Sequence, residues 1–407
     1  MQAILGLDDY PALHPLSRLA TTTPGDYYPI DLQTAYNVTP LYGEGLTGAG
    51  QTIGIIGFDT FQESDVRAFE SHSGLPQAPI QVVNVDGGPD PLNDSEAETT
   101  LDLEWSTAIA TGASLLFYGF PDGTLQGLYD SIQKATSDNS ASVISISLGA
   151  CEASISGAIP VVESALAVAA TQGQSVMVSS GDSGAYECGE PTLSVSYPGS
   201  SAYVTSVGGT ALTLNADSSY LHESVWGSET ECSTPCGGGG GISSVVARPA
   251  WQPSAVNPAS GRGVPDVALN SDPATGNVIF FDGVFKNSVG GTSIAAPQWA
   301  GLIAIADQAT GQRLGLINPA LYTTVASAEA SGSPPYHDVN DGTTNLYYPA
   351  KPGWDYATGW GSPNSNNLVH ALLCSTSSSS AAAPASSTAG GPFQVFLPIV
   401  LQKACGA

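Results

Sequence analysis

Six short apolar runs, at residues 51–58, 80–85, 114–120, 142–148, 175–180 and 203–209, alternate with segments of helical periodicity near 64–73, 95–111, 124–137 and 155–172. Runs of this length and near-continuous apolar character suit strands buried on both faces, and the intervening helical segments suit crossovers. The pattern predicts an α/β fold with a mostly parallel central sheet and helices on both faces. At 407 residues the chain is long enough for one large core with accessory segments, and no internal repeat is evident. Residues 277–293 then read as a hairpin leading into one more helix.

That last helix carries the leading candidate for chemistry. In SVGGTSIAAPQWAGLIAIA, residues 288–306, Gly290 and Gly291 permit backbone conformations closed to other residues, and Ile294, Ala295, Ala296, Trp299, Ala300, Ile303 and Ala304 form an apolar helical pattern. Ser293 therefore stands where free N–H groups and the positive helix end converge, which suits a nucleophile beside a developing oxyanion. Pro297 is expected in the first helical turn. In isolation, Gly-Gly-Thr-Ser would be read first as a plain helix cap.

A serine nucleophile needs a base. The histidines are His14, His72, His222, His337 and His370, and none lies in a glycine-flanked loop beside a buried helix, so a Ser/His/Asp triad is disfavoured. Residues 94–113, DSEAETTLDLEWSTAIATGA, offer carboxylates instead. Glu98 and Asp102 are four apart and share a helix face, and such neighbours resist double ionisation, so one can hold a proton while the other acts as base. An acidic pair at this spacing is commonly a solvated face. Here Leu101, Leu103, Trp105, Ala108, Ile109 and Ala110 make the helix apolar on most sides, so the pair is expected to turn inward and Glu96 and Glu104 to face solvent. A third acid, Asp182, sits in Gly181-Asp182-Ser183-Gly184 after the apolar run Ser175–Ser179. That is the carboxyl edge of a sheet, where ligand and catalytic groups gather, although an Asp between glycines also makes an ordinary turn.

Together, GGTSIAAP, ETTLD and SSGDSG, in family order and accompanied by SVISISLGA, GRGVPDVA and PGWDYATGWGSP, resemble the sedolisin family, the serine-carboxyl peptidases with a subtilisin-like fold. The resemblance covers roughly residues 27–373. It implies that Ser293 attacks a peptide carbonyl, that Glu98 takes and returns the proton, that Asp102 holds and polarises Glu98, and that protonated Asp182 serves the oxyanion. Free carboxyls titrate near about 4, so a carboxylate base implies acidic operation on protein or peptide substrates. The resemblance also implies one Ca2+ bound by Asp338, the Val339 carbonyl, carbonyls of Lys351 and Gly353, and Asp355; glycine is usual in the family where Lys351 stands, but a carbonyl ligand needs only the backbone. In the same architecture Ser147, Leu148, Gly149 and Ala150 border the pocket for the residue before the cut bond and pair with an extended peptide. Read alone, they are a strand end and its turn.

Residues 1–26 look like the end of a propeptide and its junction, with neither a globular prosegment nor a secretion signal before them. Residues 374–391 read as a Ser/Ala/Pro/Gly linker and 392–407 as an apolar tail too short to cross a bilayer, either a docking strand or a sorting tail. Nine Lys plus Arg against 36 Asp plus Glu give a net charge of −27 at pH 7, which repels nucleic acid. Cys151, Cys188, Cys232, Cys236, Cys374 and Cys405 fit one to three disulfides of undetermined pairing in an oxidising compartment, hence a secreted protein, expected to be a monomer. The five-glycine run 237–241 lacks the following Gly-Lys-Ser or Gly-Lys-Thr of a phosphate loop and is expected to be a flexible surface loop. The alternatives are a histidine-using subtilisin and a catalytically inactive relative that binds peptides or cell surfaces.

Overall fold

The computed structural model describes residues 13–19, 26–89, 97–230 and 232–380. At its centre lie eight strands: β1 (Thr52–Gly57), β2 (Ile80–Asn84), β3 (Ser114–Gly119), β4 (Val143–Ile146), β5 (Ser175–Ser179), β6 (Thr205–Leu214), β7 (Tyr220–Val225) and β8 (Val267–Asn270). They are ordered β7-β6-β5-β4-β1-β3-β2, with β8 also paired to β6. Only the β6–β7 hairpin is antiparallel. The fold class read from the sequence is therefore the one observed.

Side chains alternate between two cores, as the period of a strand requires. Ile53 and Ile55 of β1, Val143 of β4 and Met177 of β5 enter one; Ile56, Ile144, Ile146, Val176 and Val178 enter the other. The first is covered by α1 (Glu63–His72), α2 (Glu98–Ile109) and α5 (Thr292–Thr310), the second by α3 (Leu125–Asp138) and α4 (Ile159–Thr171). A hairpin of β9 (Asn277–Phe281) and β10 (Val284–Gly290) leads into α5, turning at Asp282 and Gly283, both with positive φ.

The packing of α2 on α5 sets the positions of their first turns. A Cβ on Gly301 would lie 2.9 Å from Ile109 Cβ and 3.0 Å from the Ser106 carbonyl, so the two helices approach almost to backbone contact. Because α2 also packs on α1, β1 and β9, all twelve of its residues are buried. This corrects the expectation for Glu104, which is fully buried and accepts a hydrogen bond from the Phe280 N–H at 3.1 Å: a helix enclosed on every side has no solvent face to offer it. Glu96 lies outside the described residues.

Pro297 also differs from expectation. Since α5 starts at Thr292, the proline falls in the second turn, where its missing N–H leaves the Ser293 carbonyl without an intrahelical donor; the Ser147 hydroxyl lies 3.4 Å from that oxygen. The terminal helix Ser365–Ser380 runs past the expected domain boundary at 373, carried on from a first half anchored by Leu368, Val369 and Leu372. The rest of the expected linker and the apolar tail lie outside the described residues. Cys151–Cys188 and Cys232–Cys236 are disulfides.

Candidate active site

The hairpin delivers the chain to Gly291, whose φ is +100° and whose added Cβ would meet the Leu16 carbonyl oxygen at 2.3 Å; both facts require glycine. Two residues on, Ser293 is fully buried in the first turn of α5. Its hydroxyl donates to the Ser147 carbonyl at 3.2 Å, and its backbone N–H donates to the Leu16 carbonyl at 3.0 Å.

Glu98 and Asp102 lie in the first two turns of α2. The residue before this helix, Ala97, has no capping side chain; Asp59, just beyond β1, accepts from the Thr99 N–H at 3.2 Å and from the Thr99 hydroxyl instead, fixing where α2 begins. Burial pushes Glu98 well above the ordinary carboxyl range, the charge of Asp102 raises it further, and the hydroxyls of Ser293 and Ser17 oppose the rise. Burial likewise raises Asp102, opposed by the Ser147 hydroxyl, which donates to Asp102 Oδ1 at 2.6 Å. The Ser293 and Ser17 hydroxyls are near enough to influence Glu98, but neither contact has hydrogen-bond geometry, and both Glu98 oxygens are buried without a partner. In this state Asp102 is thus tied to Ser147 and the Ser293 hydroxyl points toward the Ser147 carbonyl. None of the five imidazoles hydrogen-bonds to Ser293.

Asp182 stands after β5 across from these groups. Its Oδ1 accepts from the Thr292 N–H at 2.7 Å and from the Thr292 hydroxyl at 2.9 Å, while Oδ2 makes no hydrogen bond and faces Arg18 Nε at 3.6 Å. Burial pushes its pKa up to about 7 against the opposing effects of Arg18 and Thr292. Behind it Glu187, pushed up to about 8 mainly by burial, accepts from the Ser183 N–H at 2.9 Å.

The glycine run supports this loop, which corrects its reading as a flexible surface loop. Residues 237–241 are buried, and the Gly237 and Gly239 amides donate to the carbonyls of Asp182 at 3.0 Å and Gly181 at 2.7 Å. A Cβ on Gly239 would come within 2.1 Å of the Ser180 carbonyl oxygen, and one on Gly240 within 2.0 Å of the Tyr356 carbonyl. Absent side chains here let backbone pack against backbone.

Ser147, Leu148 and Gly149 line the groove, and residues 13–19 of the same chain occupy it. His14 pairs with Gly149 and Pro15 with Leu148 in antiparallel register, and the Leu16 amide donates to the Ser147 carbonyl at 3.3 Å. Arg18 and Leu19 pair with Gly290 and Val289. The peptide bond between Leu16 and Ser17 consequently crosses the group formed by Ser293, Glu98 and Asp182.

Later in the chain, Asp355 accepts from the Lys351 amide through Oδ2 and from the Ala357 and Thr358 amides through Oδ1, each at 2.8 Å, and Asp338 Oδ2 accepts from the Gly353 amide at 3.1 Å. Burial, with the nearby Asp338 charge adding to it, pushes Asp355 up to about 6. The two carboxyls repel each other beside a turn whose Gly353 has a positive φ, and both are oxygen donors, the ligand class that calcium takes.

Asp59, Thr292, Glu187 and the role of Ser147 as a partner of Asp102 escaped the reading of the sequence. Asp59 alone left a signal, because it follows an apolar strand at the sheet's carboxyl edge.

Residues 92–361 match the subtilase family model. The chain is 36% identical to kumamolisin from Bacillus sp. (strain MN-32), across 93% of this chain and 71% of that protein. It is 34% identical to sedolisin from Pseudomonas sp. (strain 101), across 88% and 65%, and 30% identical to human tripeptidyl-peptidase 1, across 68% and 52%. The chain thus spans less than two thirds of the length of the latter two. Among solved structures it is similar to Pseudomonas sedolisin, a serine-carboxyl proteinase complexed with two molecules of pseudo-iodotyrostatin. The TM-score is 0.77 and the identity 32%, covering 85% of this chain and 98% of that one.

Proposed function

The chain belongs to the sedolisin family of serine-carboxyl peptidases, and from that premise we propose that it is a secreted endopeptidase that works at acidic pH through Ser293, Glu98, Asp102 and Asp182. One observation carries the reading: the carbonyl of an extended segment accepts a hydrogen bond from the Ser293 N–H, with buried carboxyls and no imidazole hydrogen-bonded to Ser293.

The proposed chemistry uses a different rotamer of Ser293. Turned from the Ser147 carbonyl toward Glu98, its hydroxyl gives up the proton as Oγ attacks the substrate carbonyl carbon, and Glu98 later delivers that proton to the leaving amine. Asp102 raises the proton affinity of Glu98 by its charge, and Ser147 holds Asp102 in place. The Ser293 N–H and a protonated Asp182 Oδ2 serve the oxyanion; Asp182 keeps its donor while Thr292 fixes the other oxygen. Chain on both sides of the reacting position, Leu13–Leu16 before it and Ser17–Leu19 after it, supports cutting within chains. Two disulfides fit an oxidising compartment, and among the described residues no helix is long and apolar enough to cross a membrane.

Because Asp182 donates only when protonated, activity is expected to fall as pH rises through about 7. A pH–rate profile on a denatured protein substrate should peak well below neutral, and Asp182→Asn, which keeps a donor at all pH values, should lose the alkaline fall along with part of its rate. A wild-type optimum above about pH 7 would contradict the assignment.

For the metal, Asp338, Asp355 and the carbonyls of Val339, Lys351 and Gly353 would hold one Ca2+, which would neutralise two facing carboxyls and pin the turn between them. At a calcium concentration of 100 times Kd, binding adds about 2.7 kcal/mol to stability, so chelation is expected to lower the unfolding temperature. An unfolding curve unmoved by chelator and by added calcium would remove the site.

A further inference from the structure

The turn that carries Asp182 is held from behind by a strip of chain with no side chains of its own. Besides the Gly237 and Gly239 amides on the carbonyls of Asp182 and Gly181, the Gly184 amide donates to the Gly237 carbonyl at 2.8 Å and the Gly240 amide to the Gly184 carbonyl at 3.3 Å. Residues 181–184 and 237–240 are thus joined backbone to backbone. This pairing fixes Asp182 only if the strip is itself fixed, because glycine loses more conformational freedom on ordering than any other residue. Gly238, in the middle of the strip, is held from the other side. Its amide donates to the Trp226 carbonyl at 3.0 Å, and its carbonyl accepts from Asn345 Nδ2 at 3.1 Å.

Asn345 reaches both members of the pair. It is fully buried, and its Nδ2 would lie 2.9 Å from a Cβ on Gly240. While Nδ2 holds the strip, the Asn345 backbone carbonyl accepts from the Ala185 amide, just past the Asp182 turn, at 3.2 Å, and would stand 2.2 Å from a Cβ on Gly184. Oδ1 accepts from the Tyr348 amide at 2.9 Å, and the Asn345 amide donates to the Tyr348 carbonyl at 3.2 Å. The next residue, Leu346, has a φ of +75°, a conformation that favours glycine and is costly for leucine. That cost is borne where the segment presses onto the support of Asp182: a Cβ on Gly227, the strand partner of Gly237, would meet the Thr344 carbonyl oxygen at 2.1 Å.

We propose that Asn345 is a positioning residue for Asp182, locking the glycine strip to the oxyanion turn and acting on turnover without touching substrate. The inference rests on the peptidase reading above and on the oxyanion role it gives Asp182. Thr292 sets the rotation of the Asp182 carboxyl through Oδ1, and Asn345 sets where the backbone bearing that carboxyl stands. A displacement of about 1 Å at a reacting group, caused by a change remote from the chemistry, can cost about 10²-fold in rate.

The test is a double-mutant cycle on a peptide cut at a single bond, at the wild-type pH optimum, with folding of each variant checked by thermal unfolding. Asn345→Ala is expected to lower kcat by about ten- to a hundredfold and to change KM by less than about twofold. Asp182→Ala removes the donor itself and should cost on the order of 10²- to 10³-fold. In the Asp182→Ala chain, Asn345→Ala should cost no more than about twofold further, because the group it positions is gone. Equal fold-losses in the two backgrounds would mark Asn345 as merely structural and overturn the proposal. Wild-type kcat in Asn345→Ala, or a loss confined to KM, overturns it as well, and in all three cases the peptidase reading stands. Should Asn345→Ala not fold, Asn345→Ser, whose shorter side chain stops short of the Gly238 carbonyl, takes its place in the cycle. If neither folds, Asn345 belongs to the scaffold and the proposal falls. Full activity in Asp182→Ala, or a folded wild type that cuts no peptide, overturns the reading on which the proposal stands.

Discussion

Glu98→Gln is expected to lower kcat by about 10²- to 10⁴-fold on any peptide substrate, the range for losing a general acid–base group. Ser293→Ala should cost more, on the order of 10⁶-fold, and the double variant should be no worse than Ser293→Ala alone, because the two side chains act as one unit. The structure also separates this loss from unfolding. Glu98 is fully buried, with both oxygens unpartnered and the charge of Asp102 beside it, so replacing it by a neutral amide removes a desolvated ionisable group. The Glu98→Gln protein should therefore unfold at a temperature no lower than wild type at neutral pH. Full activity in Glu98→Gln would end the assignment of the base, and a collapse in stability would mean that the site holds the carboxylate in a charged form.

The second large effect concerns the whole chain. Asp307 of α5 is buried, with Oδ1 accepting from the Leu314 amide at 2.9 Å and Oδ2 unpartnered, and burial lifts its pKa from 3.8 to about 7. The unfolded chain releases this proton near the ordinary value, whereas the folded chain keeps it until about pH 7. Its contribution to stability is therefore fully present below the unfolded value and fades as pH rises through 7. A rise of that size corresponds to about 4 kcal/mol lost by pH 8. Burial raises Glu104, Glu163 and Glu223 in the same direction, so the folded state as a whole is expected to be more robust in acid than in base. Asp307→Asn should raise the unfolding temperature at pH 8 by several degrees and change it by no more than about a degree at pH 4. Equal effects at both pH values would show that the group does not titrate between them.

The sheet is legible in the sequence because its strands are short, apolar and regularly interrupted: β1, β3, β4 and β5 each lie within the runs that announce them. The inward turn of Glu98 and Asp102 can also be read, since Leu101, Trp105 and Ile109 leave α2 little polar face. Glu104 sits on the same helix, yet its burial depends on the β9 backbone offering the Phe280 amide from 176 residues away, a partner that helical periodicity does not reveal. The glycine run misleads for a related reason. Composition associates five glycines with looseness, whereas here the space of the missing side chains at Gly238, Gly239 and Gly240 is taken by the backbone of Gly209, Ser180 and Tyr356. The neighbourhood of Asp182 places it at the sheet edge, but its partners Thr292 and Arg18 come from remote segments, and only folding brings them together.

Cys151 ends the strand that pairs with the bound segment, and Cys188 follows the turn bearing Asp182 and Glu187; their bond makes the two banks of the groove one covalent piece. Thiol reagents thus reach catalytic alignment by a shorter route than they reach the folded core, where strands β1–β8 and helices α1–α5 contain no cysteine. Breaking that bond would accordingly loosen the grip on a polypeptide in the groove, leaving the scaffold beneath it indifferent.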